Sequence, residues 1–308
     1  MKTSVEGKEG ISNVLASIGN TPMLELARLE PMPVYAKAEF LNPGGSIKDR
    51  VAKYLLDEAE REGQLRKGMR IVEASSGNTG IGVALVGLLK GYPVTIVMPE
   101  DMSDERKKII HALGAELILT SAEASLKGAL DRLREICEAD PNVYVPGQFE
   151  NPKNPEIHYL QTATEINRQM DERVDAFVAG VGSGGTLQGV GKFFKERISS
   201  VHIVAVEPAK SSVLLGHEPG LHGIQGIGDG FIPDVLDVSL IDEVVAVTDE
   251  DAVEMTRLLA RREGVLCGTS SGANMWAALQ VAGRLGPGSR VVTILPDGAE
   301  RYFSTALI

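Results

Sequence analysis

The chain has 308 residues, 34 of them glycine and two of them cysteine, with a formal net charge of −11. Such a charge excludes the broad basic surface of a nucleic-acid binder, and no apolar run reaches the length that spans a membrane. The length accommodates one large or two modest domains with substantial cores, and the glycine content points to tight turns or close backbone approach to ligands.

Strand-like and helix-like segments alternate along the sequence. Val34–Phe40 reads as a strand. Ser46 to about Glu62 reads as an amphipathic helix, with Ile47, Val51, Tyr54, Leu55 and Ala59 on one face and Ser46 as its N-cap. A strand at Arg70–Glu73 precedes a helix at Gly80–Lys90. Val94–Met98 precedes a helix at Ser103–Leu113 that is expected to turn Glu105, Arg106 and Lys107 outward. Glu116–Thr120 and Ala122–Glu138 form a further pair.

After the Asn/Pro-rich stretch Asn151–Pro155 a second series starts. It runs through a helix Ile157–Gln169, a strand Ala176–Val181, a helix Thr186–Lys195 and strands Ile203–Val206 and Val244–Val247. Helices Glu250–Glu263 and Gly272–Leu285 and the strand Val291–Leu295 complete it. Such alternation predicts an α/β protein with mostly parallel sheets, each covered by helices on both faces in three αβα layers. The two series suggest two domains with a boundary near Asn151, although no linker marks it.

Cys137 and Cys267 lie in apolar contexts without metal-ligand spacing. They are read as buried free thiols of a reducing compartment, and no metal site is expected. Met1–Gly10 is polar and mixed in charge, unlike a signal peptide, so a soluble cytoplasmic protein is expected.

Chemistry concentrates in the loops. Asn42-Pro43-Gly44-Gly45-Ser46-Ile47-Lys48 places Lys48 in the first turn of a helix, where the macrodipole disfavours a cation. Held there and partly desolvated, the lysine becomes a better amine nucleophile. Glu73-Ala74-Ser75-Ser76-Gly77-Asn78-Thr79-Gly80 joins a strand to a helix start and offers hydroxyls, an amide and open backbone N–H groups to a carboxylate or phosphate. Gly180-Val181-Gly182-Ser183-Gly184-Gly185-Thr186 does the same with more glycine. The spacing of Gly180, Gly182 and Gly185, with Glu207 about twenty residues on, also satisfies a dinucleotide pattern, so a nicotinamide site is a rival reading of this one loop. Three more loops follow: Gly223–Phe231, which contains Asp229; Gly268–Gly272, which contains Ser270; and Pro296–Tyr302. A lysine-linked cofactor carrying a phosphate, with a second loop for a substrate carboxylate, uses most of these loops; a nicotinamide uses one.

Seven stretches then occur in order: Ile18–Met23, the Lys48 turn, Ser76–Gly80, Gln148–Pro152, Gly182–Thr186, Gly226–Phe231 and Glu300–Leu307. Together they resemble the cysteine synthase (O-acetylserine sulfhydrylase) and cystathionine β-synthase family, pyridoxal-phosphate enzymes of fold type II, related to the tryptophan synthase β chain. The resemblance implies a smaller, mobile substrate-binding domain at 42–150 and a larger cofactor-binding domain formed by 1–41 plus 151–308. It implies that Lys48 forms the internal Schiff base with pyridoxal 5'-phosphate and then acts as acid and base. Gly182, Ser183, Gly184, Gly185 and Thr186 would hold the phosphate, Asn78 the ring hydroxyl and Ser270 the pyridine nitrogen. Ser75, Ser76, Gly77, Thr79, Gln148 and Gly228 would bind the amino acid.

The implied reaction converts O-acetyl-L-serine and sulfide to L-cysteine and acetate through an aminoacrylate. A homodimer, and docking of the tail of serine acetyltransferase, are implied in the same way. Two positions depart from the family pattern: Ser75 stands where threonine is common, and Asp229 where cysteine synthases carry a small residue. A carboxyl group there could serve as a base for water or a thiol. This keeps open a cysteine β-lyase, or a cystathionine-forming β-replacement that uses Asp229.

Overall fold

The computed structural model describes residues 4–5, 8–9, 13–29 and 32–305. Most of the Met1–Gly10 stretch, and Ala306 and Leu307 at the end of the C-terminal motif, lie outside the described residues.

Strands β1 (Ser4–Val5) and β2 (Lys8–Glu9) form a short antiparallel pair. The larger sheet has six strands: β3 (Met23–Leu26), β4 (Val34–Ala38), β9 (Ala176–Gly180), β10 (His202–Pro208), β11 (Glu243–Val247) and β12 (Val291–Leu295), in the order β11-β10-β9-β12-β4-β3. All its pairings are parallel except that of the edge strand β3 with β4. The second sheet, β5 (Arg70–Ala74), β6 (Val94–Pro99), β7 (Glu116–Thr120) and β8 (Val143–Tyr144), is wholly parallel in the order β7-β6-β5-β8. β6 and β12 are buried along their whole length, as expected of central parallel strands covered on both faces.

Helices α1 (Lys48–Arg61), α2 (Asn78–Leu89), α3 (Asp104–Leu113) and α4 (Ser125–Ala139) serve the four-stranded sheet. Helices α5 (Lys153–Ile157), α6 (Ala163–Gln169), α7 (Gly185–Arg197), α8 (Asp249–Leu258) and α9 (Thr269–Leu285) serve the larger one. One core fills the face under α9, with Val178, Val204 and Ala278; another fills the face under α7, with Phe177, Ile203 and Phe194. Each fully buried Val, Ile or Phe contributes about 1.5–3 kcal/mol of transfer free energy. Two smaller clusters flank the four-stranded sheet.

Several expectations are corrected. The first helix starts at Lys48 with Ile47 as its cap residue, because Ser46 is held in a bridge to Asp297; the Ser46 hydroxyl still accepts from the Lys48 N–H at 3.3 Å. Arg106 points inward and is buried, since its guanidinium lies over the Tyr302 ring at 4.9 Å. The expected helix Ile157–Gln169 starts earlier, at Lys153, and contains a π-helical turn at His158–Thr162. Asn151–Pro155 therefore includes the start of α5, which packs on α1 and α7. Helix 250–263 likewise ends in a π turn, Leu259–Glu263. Strands β3 and β8 were not expected; both are short and at sheet edges, where burial leaves little periodicity to read. Cys267 is buried as expected, whereas Cys137 is only half-buried; both are free thiols.

Candidate active site

Parallel strands place the loops at their carboxyl ends on one side of a sheet, where ligands of α/β proteins collect. Here the loops after β4, β5, β9 and β12 and the irregular 223–231 segment converge on one cavity of about 510 Å³. Lys48, Ser75, Ser76, Gly77, Asn78, Thr79, Gln148, Gly182, Ser183, Gly184, Thr186, Gly228, Asp229 and Ser270 all line it. Gly185 is the exception among the expected residues. It opens α7 beneath the cavity, where an added Cβ would overlap the Asn154 side-chain amide.

The Lys48 amine donates to the Ser183 hydroxyl at 2.9 Å, across 135 positions of sequence. Burial lowers its pKa to about 8, while the carboxyl groups of Asp229 and Glu73 pull it partly back. Loss of hydration therefore outweighs the surrounding negative charge, and a substantial neutral fraction exists near neutrality. Glu73 is pushed up to about 8 by its own burial, offset in part by the Gly147 N–H that donates to it at 3.1 Å. The carboxyl of Asp229 is raised by burial too, with Lys48 and then His222 opposing.

The Gly182–Thr186 loop leads into α7, whose cap residue Gly184 sits at φ 77°, with no side-chain cap and no acidic residue in the first turn. Backbone N–H groups at such an end are directed to an incoming anion. The positive φ is one that glycine adopts without strain. Asn154 supports the loop: its amide nitrogen donates to the Ser183 hydroxyl at 3.1 Å and to the Gln148 carbonyl at 2.8 Å. Buried His158 stays neutral because burial holds its pKa well below the usual value, and its Nε2 lies 3.4 Å from the Thr186 hydroxyl.

Across the cavity the Ser75 hydroxyl accepts from the N–H groups of Gly77 and Gly80, each at 3.0 Å, and so holds the start of α2. The Thr79 hydroxyl donates to the side-chain amide oxygen of Gln148, Oε1, at 2.7 Å. That bond leaves the Gln148 amide nitrogen as its donor end for an anion. Asn78 gives its amide nitrogen to Asp297 at 2.6 Å, and its buried Oδ1 has no partner among the described residues.

Sequence reasoning did not single out Asn154, Arg106, Asp297 or Tyr302. The last three carried only weak signals: a helical charge taken as solvated, and a final loop whose residues had no assigned part.

A phosphate-sized anion end, a partly neutral amine beside it and an unpartnered buried amide oxygen fit a phosphorylated aldehyde. A dinucleotide fits poorly. Glu207, which would have to meet a ribose, is buried, and its carboxylate accepts from the Leu214 N–H at 3.1 Å and 3.2 Å. The nicotinamide reading is thereby overturned.

The chain belongs to the family of pyridoxal-phosphate dependent enzymes, whose model matches residues 14–297. Among its relatives, a cysteine synthase of Staphylococcus aureus is 48% identical over 301 residues, covering 96% of this chain and 97% of that protein. The structure of O-acetyl serine sulfhydrylase isoform 3 from Entamoeba histolytica superposes with a TM-score of 0.93 at 41% identity, covering 100% of this chain and 94% of the other. An O-acetylserine dependent cystathionine beta-synthase from Helicobacter pylori is similar too, with a TM-score of 0.92 at 42% identity and coverage of 96% and 98%. The protein is thus a pyridoxal-phosphate-dependent enzyme of the cysteine synthase type, with the corresponding α/β fold.

Proposed function

We propose that the chain converts O-acetyl-L-serine and hydrosulfide to L-cysteine and acetate. The Cβ–O bond breaks, a Cβ–S bond forms, and no net oxidation occurs. The observation that carries this reading is the Lys48 amine lying 2.9 Å from the Ser183 hydroxyl of the glycine loop, with its pKa lowered to about 8.

Pyridoxal phosphate, when bound, supplies an aldehyde and an electron-withdrawing ring that acidify the substrate α-proton and make the β-substituent a leaving group. Lys48 would hold that aldehyde and, once displaced by the substrate amine, move the α-proton. Gly182, Ser183, Gly184 and Thr186 would hold the phosphate, with Gly185 allowing α7 to approach closely. Asn78 would meet the ring hydroxyl and Ser270 the pyridine nitrogen. A serine hydroxyl cannot hold that nitrogen protonated as a carboxylate would. Ser270 would thereby leave a bound ring a weaker electron sink, a setting that would favour loss of the β-substituent. Ser75, Ser76, Gly77, Thr79, Gln148 and Gly228 would bind the amino acid.

In this reading residues 42–150 form the substrate domain and 1–41 plus 151–308 the cofactor domain. The edge-on contact of Phe149 with Phe231, 5.2 Å between ring centres, joins the two across the cavity. The same reading takes the enzyme to be a cytoplasmic homodimer that accepts the tail of serine acetyltransferase. That part rests on the family resemblance of the sequence alone; among the described residues no helix is long and apolar enough to cross a membrane.

A second reading rests on Asp229, a cavity-lining carboxyl within electrostatic reach of Lys48. It would serve release of sulfide from cysteine, or condensation of homocysteine with an activated serine. The test is a substrate panel on the purified holoenzyme, following acetate, sulfide and amino-acid products for the parent, Asp229→Ala and Lys48→Ala. The first reading expects cysteine formation from O-acetylserine to dominate in the parent and vanish in Lys48→Ala. A parent that makes sulfide from cysteine faster, and loses that preference in Asp229→Ala, establishes the second instead.

A further inference from the structure

The segment after β12 has no part in the reaction as described, yet one of its residues touches three parts of the site. Asp297 is fully buried. Its Oδ2 accepts from the Asn78 amide nitrogen at 2.6 Å and from the Tyr302 hydroxyl at 2.6 Å, while Oδ1 has no partner among the described residues. Its backbone carbonyl accepts from the Gly268 N–H at 3.1 Å, two residues before Ser270. It also forms a bridge with Ser46, and the preceding Pro296 carbonyl accepts from the Ile47 N–H at 2.9 Å, next to Lys48. The chain segments carrying Lys48, Asn78 and Ser270 are therefore all tied to one acidic residue.

We propose that Asp297 is a positioning residue that sets the orientation of the Asn78 side chain towards the cofactor; this rests on the pyridoxal-phosphate reading given above. The argument is one of donors and acceptors. An amide side chain can present either end to a neighbour, but Oδ2 of Asp297 is an acceptor that also takes the Tyr302 hydroxyl proton, so the nitrogen of Asn78 faces it. Both Asn78 and Ser270 line the cavity. With the nitrogen committed to Asp297, the carbonyl oxygen of Asn78 cannot exchange places with it. That buried oxygen lacks a partner, and so large a desolvation cost is met when a ligand supplies one. Tyr302 completes the arrangement. Burial pushes its hydroxyl well above the usual pKa, so it remains a donor to Asp297, and Arg106 covers its ring at 4.9 Å. The ties to the Lys48 and Ser270 segments run through backbone, so the carboxyl of Asp297 acts on the cofactor through the Asn78 amide.

The test compares parent, Asp297→Asn and Tyr302→Phe by three measurements: the visible spectrum of the holoenzyme, the pyridoxal 5'-phosphate dissociation constant by equilibrium dialysis, and the melting temperature of the apoprotein. Asp297→Asn keeps the shape but offers Asn78 either a donor or an acceptor. It should shift the cofactor band and weaken cofactor binding about tenfold, as loss of a ligand-orienting partner typically does, with the apoprotein melting within about 2 °C of the parent. Tyr302→Phe should move both cofactor readouts in the same direction by about threefold in affinity, and it stands in should Asp297→Asn fail to fold. An unchanged band and dissociation constant overturn the proposal. So does a weakened affinity that follows a lowered melting temperature with the band unmoved, since that is a merely structural effect. A parent lacking any borohydride-bleached cofactor band would instead sink the pyridoxal-phosphate reading itself.

Discussion

Replacing Arg50 with methionine is expected to lower stability sharply without touching the cavity. Arg50 lies two residues after Lys48 and is wholly buried between two carboxylates. Its Nε and Nη2 donate to the two oxygens of Glu39 at 2.7 Å and 2.9 Å, and its Nη1 and Nη2 to those of Glu165 at 2.7 Å each. Lys37 completes the cluster with 2.7 Å to Glu165. Without Arg50, Glu165 retains, among the described residues, only Lys37 and the Asn20 N–H, and Glu39 retains the Thr21 hydroxyl and the Asn42 amide. Breaking a buried ion pair on one side costs about 3–5 kcal/mol, because the partner is left as an uncompensated buried charge. For a chain of this size that is a fall of order 10 °C in melting temperature.

The pH dependence gives a second check. Burial alone would raise the Glu165 carboxyl, but the Arg50 hydrogen bond and charge, with Lys37, bring it down to about 2 from 4.5. A depressed folded value adds stability above the unfolded value and loses it as pH falls through the folded one. The gap between parent and Arg50→Met should therefore hold from neutrality to about pH 4.5 and close towards pH 2. Differential scanning calorimetry of the apoproteins across that range measures both. A variant melting within about 2 °C of the parent at pH 7 would refute the claim that this cluster carries net stability.

Three further outcomes are expected. Covalent capture of pyridoxal phosphate by the apoprotein, trapped with borohydride, should speed up as pH rises and level off above about 8, because Lys48 reacts as the neutral amine; a rate flat from pH 6 upward, where the rise should be steepest, would contradict the lowered pKa. Gly182→Ala should cut cofactor affinity by about tenfold or more, since the new Cβ would overlap the Gly226 backbone carbonyl and force the glycine loop to move; equilibrium dialysis decides this. Gly283→Ala, in the last turn of α9 with open space around its Cβ, should instead be neutral or stabilising by up to about 1 kcal/mol in thermal melts, with activity unchanged.

The sequence by itself determined the alternation of strands and helices, because buried parallel strands and amphipathic helices write their periods directly into the chain. Val291–Leu295, buried along its whole length, matches its expected bounds for that reason. It also indicated which loops come together around the cavity, since glycines and hydroxyls cluster where strands end, as in Gly182–Thr186 and Ser75–Thr79. What only the tertiary structure decided concerns long-range polar partners. Arg106 belongs to a helix whose charges read as solvated, yet it is buried over Tyr302 because the segment after β12 crosses α3. Asp297 holds Asn78 across 219 positions, and Lys37, Arg50 and Glu165 meet from three separate elements. Hydrogen bonds and ion pairs act over about 3 Å in space, whatever the separation along the chain, and so leave no periodic trace in sequence.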